Sequence, residues 1–445
     1  MRLKVAVIWA LAGGTVIFLG WRMLRPLEIF SISKRFENPL PATPIPPLGS
    51  LSARSCGSCH VANYREWRTT IHSRAWTDSY FQTDWRVEGR KQICLECHTP
   101  LATQQRYRVL GYHWGDRWDP VLAVNPAFKP ALRRQGVTCA ACHVRHGVVY
   151  GPFAKLDAPH PVARWNNDNE ACIRCHVVNN RHHDVFYRLP PCGTVKEIAR
   201  TRSRFRLEGR AIQTLLPALA SQSSVGTQGH REGQQARGAP PATGNDGYGV
   251  AMSAGALAAL DCVQCHMPSV NRPLVPGGKI RPSRRHLWRG GHDPRMVRNA
   301  LSISFARLAA APSGRERYAL TITNIGAEHY IPTGVPDRHL TVELRVLGSR
   351  GHTLKSQVFT LERSVLWRPF IIELHDTRLR PLEPRTYDIG FSIHSHLRPT
   401  AVEAVVRYWF MDTSHQAHDH YRAPISYVVY RRRILIEPQK RSGGT

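Results

Sequence analysis

The stretch Cys56-Gly57-Ser58-Cys59-His60 sets the pattern for most of the chain. The same Cys-x-x-Cys-His spacing occurs five times in 445 residues, which is far more often than this composition would produce by chance. Ten of the eleven cysteines are used in this way. The cysteines are Cys56, Cys59, Cys94, Cys97, Cys139, Cys142, Cys172, Cys175, Cys262 and Cys265.

This spacing is the attachment signature of c-type haem. The two thiols bond covalently to the haem, and the adjoining imidazole becomes the proximal ligand of the iron. The sequence therefore predicts five covalently bound haem c groups. Their predicted proximal ligands are His60, His98, His143, His176 and His266.

Two other uses of paired cysteines are less consistent with the pattern. Structural zinc sites also contain Cys-x-x-Cys elements, but zinc does not require a histidine directly after the second cysteine in every run. A disulfide across two intervening residues closes a very short loop and gains little entropy. Haem attachment accounts for the cysteines and the histidines together.

The N-terminus carries an export signal. Arg2 and Lys4 precede an apolar run over residues 5–21, and Arg22 follows it. In c-type cytochromes generally, haem is attached outside the cytoplasmic membrane, so export is expected. The run exceeds an ordinary signal-peptide core and reaches the lower limit of a membrane span, and no small-x-small cleavage site follows it. We predict a retained anchor over residues 1–25, with the haems on the periplasmic side; a cleaved signal is the alternative.

The charge is strongly basic, with 61 Lys and Arg against 32 Asp and Glu and a formal net charge of +29. Such a surface can attract anionic lipid, an acidic redox partner or an anionic substrate, and the attraction depends on salt. Nucleic acid is excluded as a partner, since an exported haem protein would rarely meet it.

Composition divides the rest of the chain. A Pro-rich segment over residues 26–50 is predicted to be an extended linker. Residues 51–297 are predicted to form a haem domain of helices and loops with the porphyrins as its core, and its Gly- and Gln-rich part over 222–249 is predicted to be a mobile insertion. Residues 438–445 form a short tail.

Residues 298–437 contain no haem motif and show a period of two. Leu340, Val342 and Leu344 alternate with polar residues, and Ile389 and Phe391 do the same. This alternation is typical of half-buried strands. The predicted fold class is therefore mixed: a mostly helix-and-loop multihaem domain, followed by an all-β sandwich of immunoglobulin-like type.

The first haem motif is followed by a recognisable run. Tyr64, Trp67 and His72 follow it at a spacing that resembles multihaem cytochromes related to the tetrahaem electron acceptor of hydroxylamine oxidoreductase. Further similarity lies in pieces at 136–139, 265–268, 286–292 and 324–334. In some larger relatives the residue before the histidine of the last segment is commonly Gly, so Glu328 is a departure.

The resemblance implies closely packed haems that pass electrons from iron to iron. It also implies distal ligands: His72 first, then one of His286 and His292, and His329 at the start of the β domain. Other histidines near the haem motifs are further candidates for distal ligands. They are His113, His146, His160, His182 and His183.

Two remaining features favour ordinary interpretations. Cys192 has no motif partner and is interpreted as a free thiol near a turn, although an intermolecular disulfide is an alternative. His415, His418 and His420 have a spacing that could hold a metal, but we interpret them as a solvated loop.

Three classes of function fit these observations. The first is a membrane-anchored electron relay between redox partner proteins, one of them a quinol-linked membrane complex. The second is an oxidoreductase acting on a small nitrogen or sulfur compound at one five-coordinate haem. The third is a structural subunit of a cytochrome complex or filament. The sequence favours the relay, since no Cys-x-x-Cys-Lys motif is present to mark a lysine-ligated catalytic haem.

Overall fold

The structure is a computed structural model of the whole chain. It describes residues 2–24, 38–115, 118–153, 156–165, 170–176, 194, 197, 262–309, 315–366, 372–392 and 398–436. The predicted insertion at 222–249, the tail at 438–445, and Cys192, His182 and His183 lie outside the described residues.

The chain forms two compact units. The first, here called the haem unit, comprises Leu27–Asp184 and Pro217–His292 and contains all five cysteine motifs. The second, the β unit, comprises Met1–Pro26, Val185–Leu216 and Asp293–Thr445.

Most helices are short, and many of them carry a motif. The described α-helices are α1 (Arg2–Leu24), α2 (Ala53–Gly57), α3 (Val61–Trp67), α4 (Ser79–Val87), α5 (Leu95–His98), α6 (Pro130–Arg133), α7 (Cys139–His143), α8 (Glu170–His176), α9 (Cys262–His266), α10 (Pro294–Asn299) and α11 (Thr413–His418).

The strands of the haem unit form small sheets, and those of the β unit are longer. The described strands are β1 (Tyr107–Tyr112), β2 (Pro120–Val124), β3 (Val144–Arg145), β4 (Val148–Gly151), β5 (Val162–Arg164), β6 (Ser269–Pro273), β7 (Ile280–Arg284), β8 (Leu301–Arg307), β9 (Arg315–Asn324), β10 (His339–Leu347), β11 (Thr353–Leu361), β12 (Arg363–Leu366), β13 (Ile372–Asp376), β14 (Arg385–Ser392), β15 (Ala401–Trp409) and β16 (Ser426–Leu435).

Helix α1 is predominantly apolar from Val5 to Trp21. Its window Lys4–Trp21 is long and apolar enough to cross a membrane, and none of that window is buried within the protein. A 23-residue helix spans about 35 Å at 1.5 Å per residue, which matches the hydrocarbon core of a bilayer. This observation fits both an anchor and a signal sequence.

Part of the predicted linker belongs to the haem unit, which corrects the boundary at residue 50. Leu40 and Ile45 are each only 2% exposed, and they pack with Leu101 and Ala140 in a hydrophobic cluster. The Leu40 amide also donates to the carbonyl of Pro100 at 2.7 Å. Residues 38–50 therefore do not form a free spacer, because their apolar side chains are buried beside the third motif.

Among its described strands, the β unit contains two main antiparallel sheets that share one core, besides the two-stranded sheet β12-β13. The larger has the order β11-β10-β15-β16, and the smaller has the order β14-β9-β8. The predicted alternation is confirmed in β10, whose residues Leu340, Val342, Leu344 and Val346 are buried. Mixed architecture, with helices first and antiparallel strands afterwards, is thus confirmed, while the immunoglobulin-like topology stays a prediction.

Candidate haem sites

The cysteine motifs lie on short helices or at helix ends. Helices α7 and α9 coincide with whole motifs, and α8 contains a third. In an α-helix, residues i, i+3 and i+4 share one face. The two thiols and the histidine of such a motif therefore point to the same side, where one haem can take both thioether bonds and the proximal ligand.

Four proximal histidines are oriented by a backbone carbonyl. In each, Nδ1 donates to a carbonyl oxygen and leaves Nε2 as the nitrogen that can bind metal, an arrangement typical of ligating histidines. The bonds are His60 to Leu274 at 3.1 Å, His98 to Ala75 at 2.8 Å, His143 to Tyr150 at 2.6 Å, and His266 to Arg289 at 2.5 Å. The donor set fits haem iron.

Three proximal histidines face a second histidine at a shared distance. Two imidazoles on opposite sides of one metal ion, each about 2 Å from it through nitrogen, have ring centres roughly 6 Å apart. The observed separations between ring centres are 6.3 Å for His60 and His160, 6.4 Å for His72 and His176, and 6.0 Å for His143 and His286. Each pair can hold one iron between its rings.

His72 is held by the segment that precedes the third motif. The Val137 amide donates to the His72 carbonyl at 2.9 Å, and the Trp67 indole donates to the Val137 carbonyl at 2.8 Å. Burial, followed by the nearby imidazoles of His176 and His266, lowers the pKa of His72 to about 3. The ring is therefore neutral at physiological pH, which is the form that binds metal.

His286 is held in a comparable way. Its Nδ1 donates to the carbonyl of Arg284 at 3.0 Å, and burial lowers its pKa to about 4. Trp288 lies edge-on to the rings of both His286 and His72, with ring centres 5.1 Å apart in each case. One indole thus packs against both candidate distal ligands.

The other predicted histidines have different surroundings. His292 is exposed, and His113 and His146 are exposed too. His329 lies in the β unit, where its Nδ1 donates to the carbonyl of Tyr330 at 2.8 Å. The ligand roles of these four residues stay predictions.

Sequence reasoning did not single out His160 from the other histidines near a motif. Nothing in its sequence neighbourhood distinguishes it, because its partner His60 lies 100 positions earlier. Glu66 was also missed, although it stands between Tyr64 and Trp67 in the run that carries the resemblance. Its position beside those two residues is a signal that could have drawn attention to it.

Motifs that are distant in sequence lie close together in the haem unit. The side chains of Cys56 and Cys139 are neighbours, and their interaction lowers the pKa of Cys56 and raises that of Cys139, which places the attachment edges of the first and third haems side by side. The imidazoles of His176, His266 and His98 contribute to the lowered pKa of His72, so the fourth, fifth and second proximal ligands all lie near it. Such proximity suits electron transfer between haems.

Comparisons with known proteins point to cytochromes. The family model described as cytochrome c554 and c-prime matches residues 55–114. A penta-haem cytochrome c552 from Thermochromatium tepidum is similar in structure, with a TM-score of 0.55 and 17% sequence identity, over 86% of this chain and 98% of that one. No curated protein matches the chain.

Two further solved structures resemble the chain only slightly. AvmM, described as catalysing macrocyclization in alchivemycin A biosynthesis, covers 32% of this chain and 92% of its own at 9% identity, with a TM-score of 0.19. Spo0M, a sporulation control protein from Bacillus subtilis, covers 32% of this chain and 50% of its own at 12% identity, with a TM-score of 0.13. Neither likeness says anything about function. The cysteine motifs, the family match over residues 55–114 and the shared fold together support a multihaem c-type cytochrome with covalently bound haem c.

Proposed function

We propose that the chain is an exported, membrane-anchored cytochrome that carries five haem c groups and relays electrons between redox partners. The observation that carries the proposal is the set of three histidine pairs at the spacing of two ligands on one iron. His160, His72 and His286 are the proposed distal ligands for the haems of His60, His176 and His143.

Ligation by two histidines favours electron transfer over catalysis. With both axial positions filled by imidazole, an iron is low-spin and has no position at which a substrate could bind. The protein then holds the haems close together and sets their reduction potentials through the axial ligands, burial and hydrogen bonds. Three irons ligated in this way within one unit would suit an electron relay.

One observation favours the enzymatic alternative at the second haem. The imidazole of His98 stacks on Phe81, with ring centres 3.5 Å apart, and we propose no distal histidine for it among the described residues. An iron bound there would have an open distal position within the described part of the chain. Turnover of a small nitrogen or sulfur compound would take place at this haem.

The proposed partners follow from charge and from helix α1. A formal charge of +29 suits an acidic redox protein, and a helix able to span a bilayer places the haem unit beside membrane enzymes. A quinol-linked membrane complex is the proposed donor or acceptor. The periplasmic side of the cytoplasmic membrane is the proposed location.

Replacing His72 tests the relay. In His72→Ala, the haem of His176 loses its distal imidazole, so one haem turns high-spin, begins to bind cyanide and rises in reduction potential, because an imidazole donor stabilises the ferric state. Ferric electron paramagnetic resonance and redox titration of the full chain measure these changes. His375→Ala, which removes an exposed histidine of the β unit, is the control and should keep every haem signal.

Two results would count against the proposal. If the His72→Ala protein stayed fully low-spin with unchanged potentials, His72 would not be a ligand. If the unaltered protein had a high-spin haem that turned over hydroxylamine or nitrite, the enzymatic alternative would replace the relay.

A further inference from the structure

We infer that Glu66 is a positioning residue for His286 and thereby keeps that histidine on the iron of the third haem. The inference rests on the ligand pair proposed above. Glu66 belongs to helix α3, beside the first haem motif, whereas His286 follows strand β7 near the fifth. A single carboxylate thus connects two parts of the haem unit that are 220 positions apart.

The Glu66 carboxylate is almost buried and accepts several hydrogen bonds. Its side chain is 10% exposed. Arg272 donates to it from both terminal nitrogens, Nη1 to Oε1 at 2.7 Å and Nη2 to Oε2 at 2.8 Å. Arg285 donates from Nε at 3.0 Å. Such a bidentate arginine pair fixes the direction of the carboxylate as well as its position.

The fourth bond reaches the candidate ligand itself. The backbone N–H of His286 donates to Oε2 of Glu66 at 2.8 Å. His286 lies beyond the end of β7, where the strand ladder with β6 no longer supplies a partner for this amide. The carboxylate therefore takes the place of a neighbouring strand.

The same arginine also holds the other side of the ligand. Arg272 Nη2 donates to the carbonyl of Arg284 at 3.2 Å, and that carbonyl accepts the Nδ1 proton of His286. Glu66 orients Arg272, and Arg272 in turn supports the carbonyl of Arg284. That carbonyl sets which ring nitrogen of His286 faces His143. Both the backbone and the ring orientation of His286 thus depend on one carboxylate.

Two substitutions separate positioning from charge. In Glu66→Gln one of the two acceptor oxygens becomes an NH2 group, so the side chain can no longer accept from both terminal nitrogens of Arg272 and from the His286 amide in the present arrangement. In Glu66→Asp the charge remains and Arg272 can follow it, but the shorter side chain falls short of the His286 N–H. We expect both variants to fold with haem bound and both to lose the distal contact.

The experiment uses the full chain and four further variants. His286→Ala is the reference for the third haem without its distal ligand. It should lose one low-spin ferric signal, bind cyanide and have a raised reduction potential at that haem. Glu66→Gln and Glu66→Asp should show the same change in part of the molecules, at unchanged haem content. Glu316→Gln is the matched control, since Glu316 also pairs with an arginine and is 11% exposed, but it lies in the β unit.

The outcomes are distinguishable. If His286→Ala keeps every low-spin signal, the proposed ligand pair is wrong and the inference falls with it. If His286→Ala opens the iron but both Glu66 variants keep the low-spin signal and its potential, only the role of Glu66 is refuted. If Glu66→Gln loses haem altogether while Glu66→Asp retains the complete low-spin signal, the role of Glu66 is structural alone. That result would overturn the inference.

Discussion

At the scale of single residues, the position of His72 depends on a glycine that is not a ligand. Gly136 has a φ of +59°, and a Cβ there would lie 2.6 Å from the carbonyl oxygen of His72 and 2.9 Å from the amide of Ala75. Both atoms are backbone, so they cannot move aside as the end of a flexible side chain could. Gly136 therefore allows the close approach that puts His72 opposite His176.

We predict that Gly136→Ala displaces His72 and turns part of the fourth haem high-spin. The left-handed backbone and the contact with backbone atoms both oppose the added methyl group. Ferric electron paramagnetic resonance measures the high-spin fraction. Gly115→Ala is the control, because Gly115 also has a positive φ of +74° but nothing lies within 4 Å of the added carbon. An unchanged Gly136→Ala spectrum would contradict the prediction.

At the scale of secondary-structure elements, the β unit is held partly by a residue that precedes the fifth motif. The Glu197 side chain is 0% exposed and accepts from Arg378 at 2.6 Å, from the Tyr330 amide at 3.1 Å and from the Thr333 hydroxyl at 2.8 Å. Burial raises the pKa of Glu197, and Arg378 opposes that rise. One carboxylate thus fixes the loop that follows strand β9.

We predict that Glu197→Ala lowers the free energy of unfolding of the β unit by about 3 kcal/mol, near the lower end for breaking a buried ion pair. The lower end applies because Arg378 keeps its bonds to Asp376. Chemical denaturation followed by circular dichroism measures the change. The control is Asp388→Ala, which removes the exposed pair with Arg317 and should cost roughly 0.5 kcal/mol. Equal effects of the two substitutions would disprove the prediction.

Different elements were predictable to different degrees. Strand β10 followed from alternation, because every second residue along most of it is buried, whereas β15 is buried on both faces and followed only from its apolar run. His72 could be singled out through the family resemblance, since it and Trp67 belong to one local run; its ligand role stays a prediction. His160 and Glu66 could not, because their partners are distant in sequence. The part of the linker containing Leu40 was misassigned, since its prolines suggested extension while its few apolar residues are buried in the tertiary structure.

At the scale of the whole molecule, the chain joins a helix able to span a membrane to a strongly basic haem protein. We predict that membranes from cells expressing the full chain hold a haem-staining band with five haems per polypeptide. High salt should leave this band in the membrane, and detergent should release it, because in the proposed arrangement helix α1 would be held by the apolar core of the bilayer and not by charge.

Haem determination against polypeptide content gives the count, and salt washing followed by detergent extraction gives the mode of attachment. A soluble mature protein beginning after Trp21 would refute the anchor. A count of four would mean that one cysteine motif is not used.

The three histidine pairs also bear on how the protein matures. Each proposed pair joins residues at least 100 positions apart, so a haem bound by both closes a long loop of chain. In the proposed export from the N-terminus, His72 would arrive outside before the cysteines of the fourth motif, whereas His286 would arrive long after those of the third. With the proposed pairs, the fourth haem therefore meets its distal ligand as soon as it is attached. The iron of the third haem would lack its distal ligand until nearly two thirds of the chain has been exported.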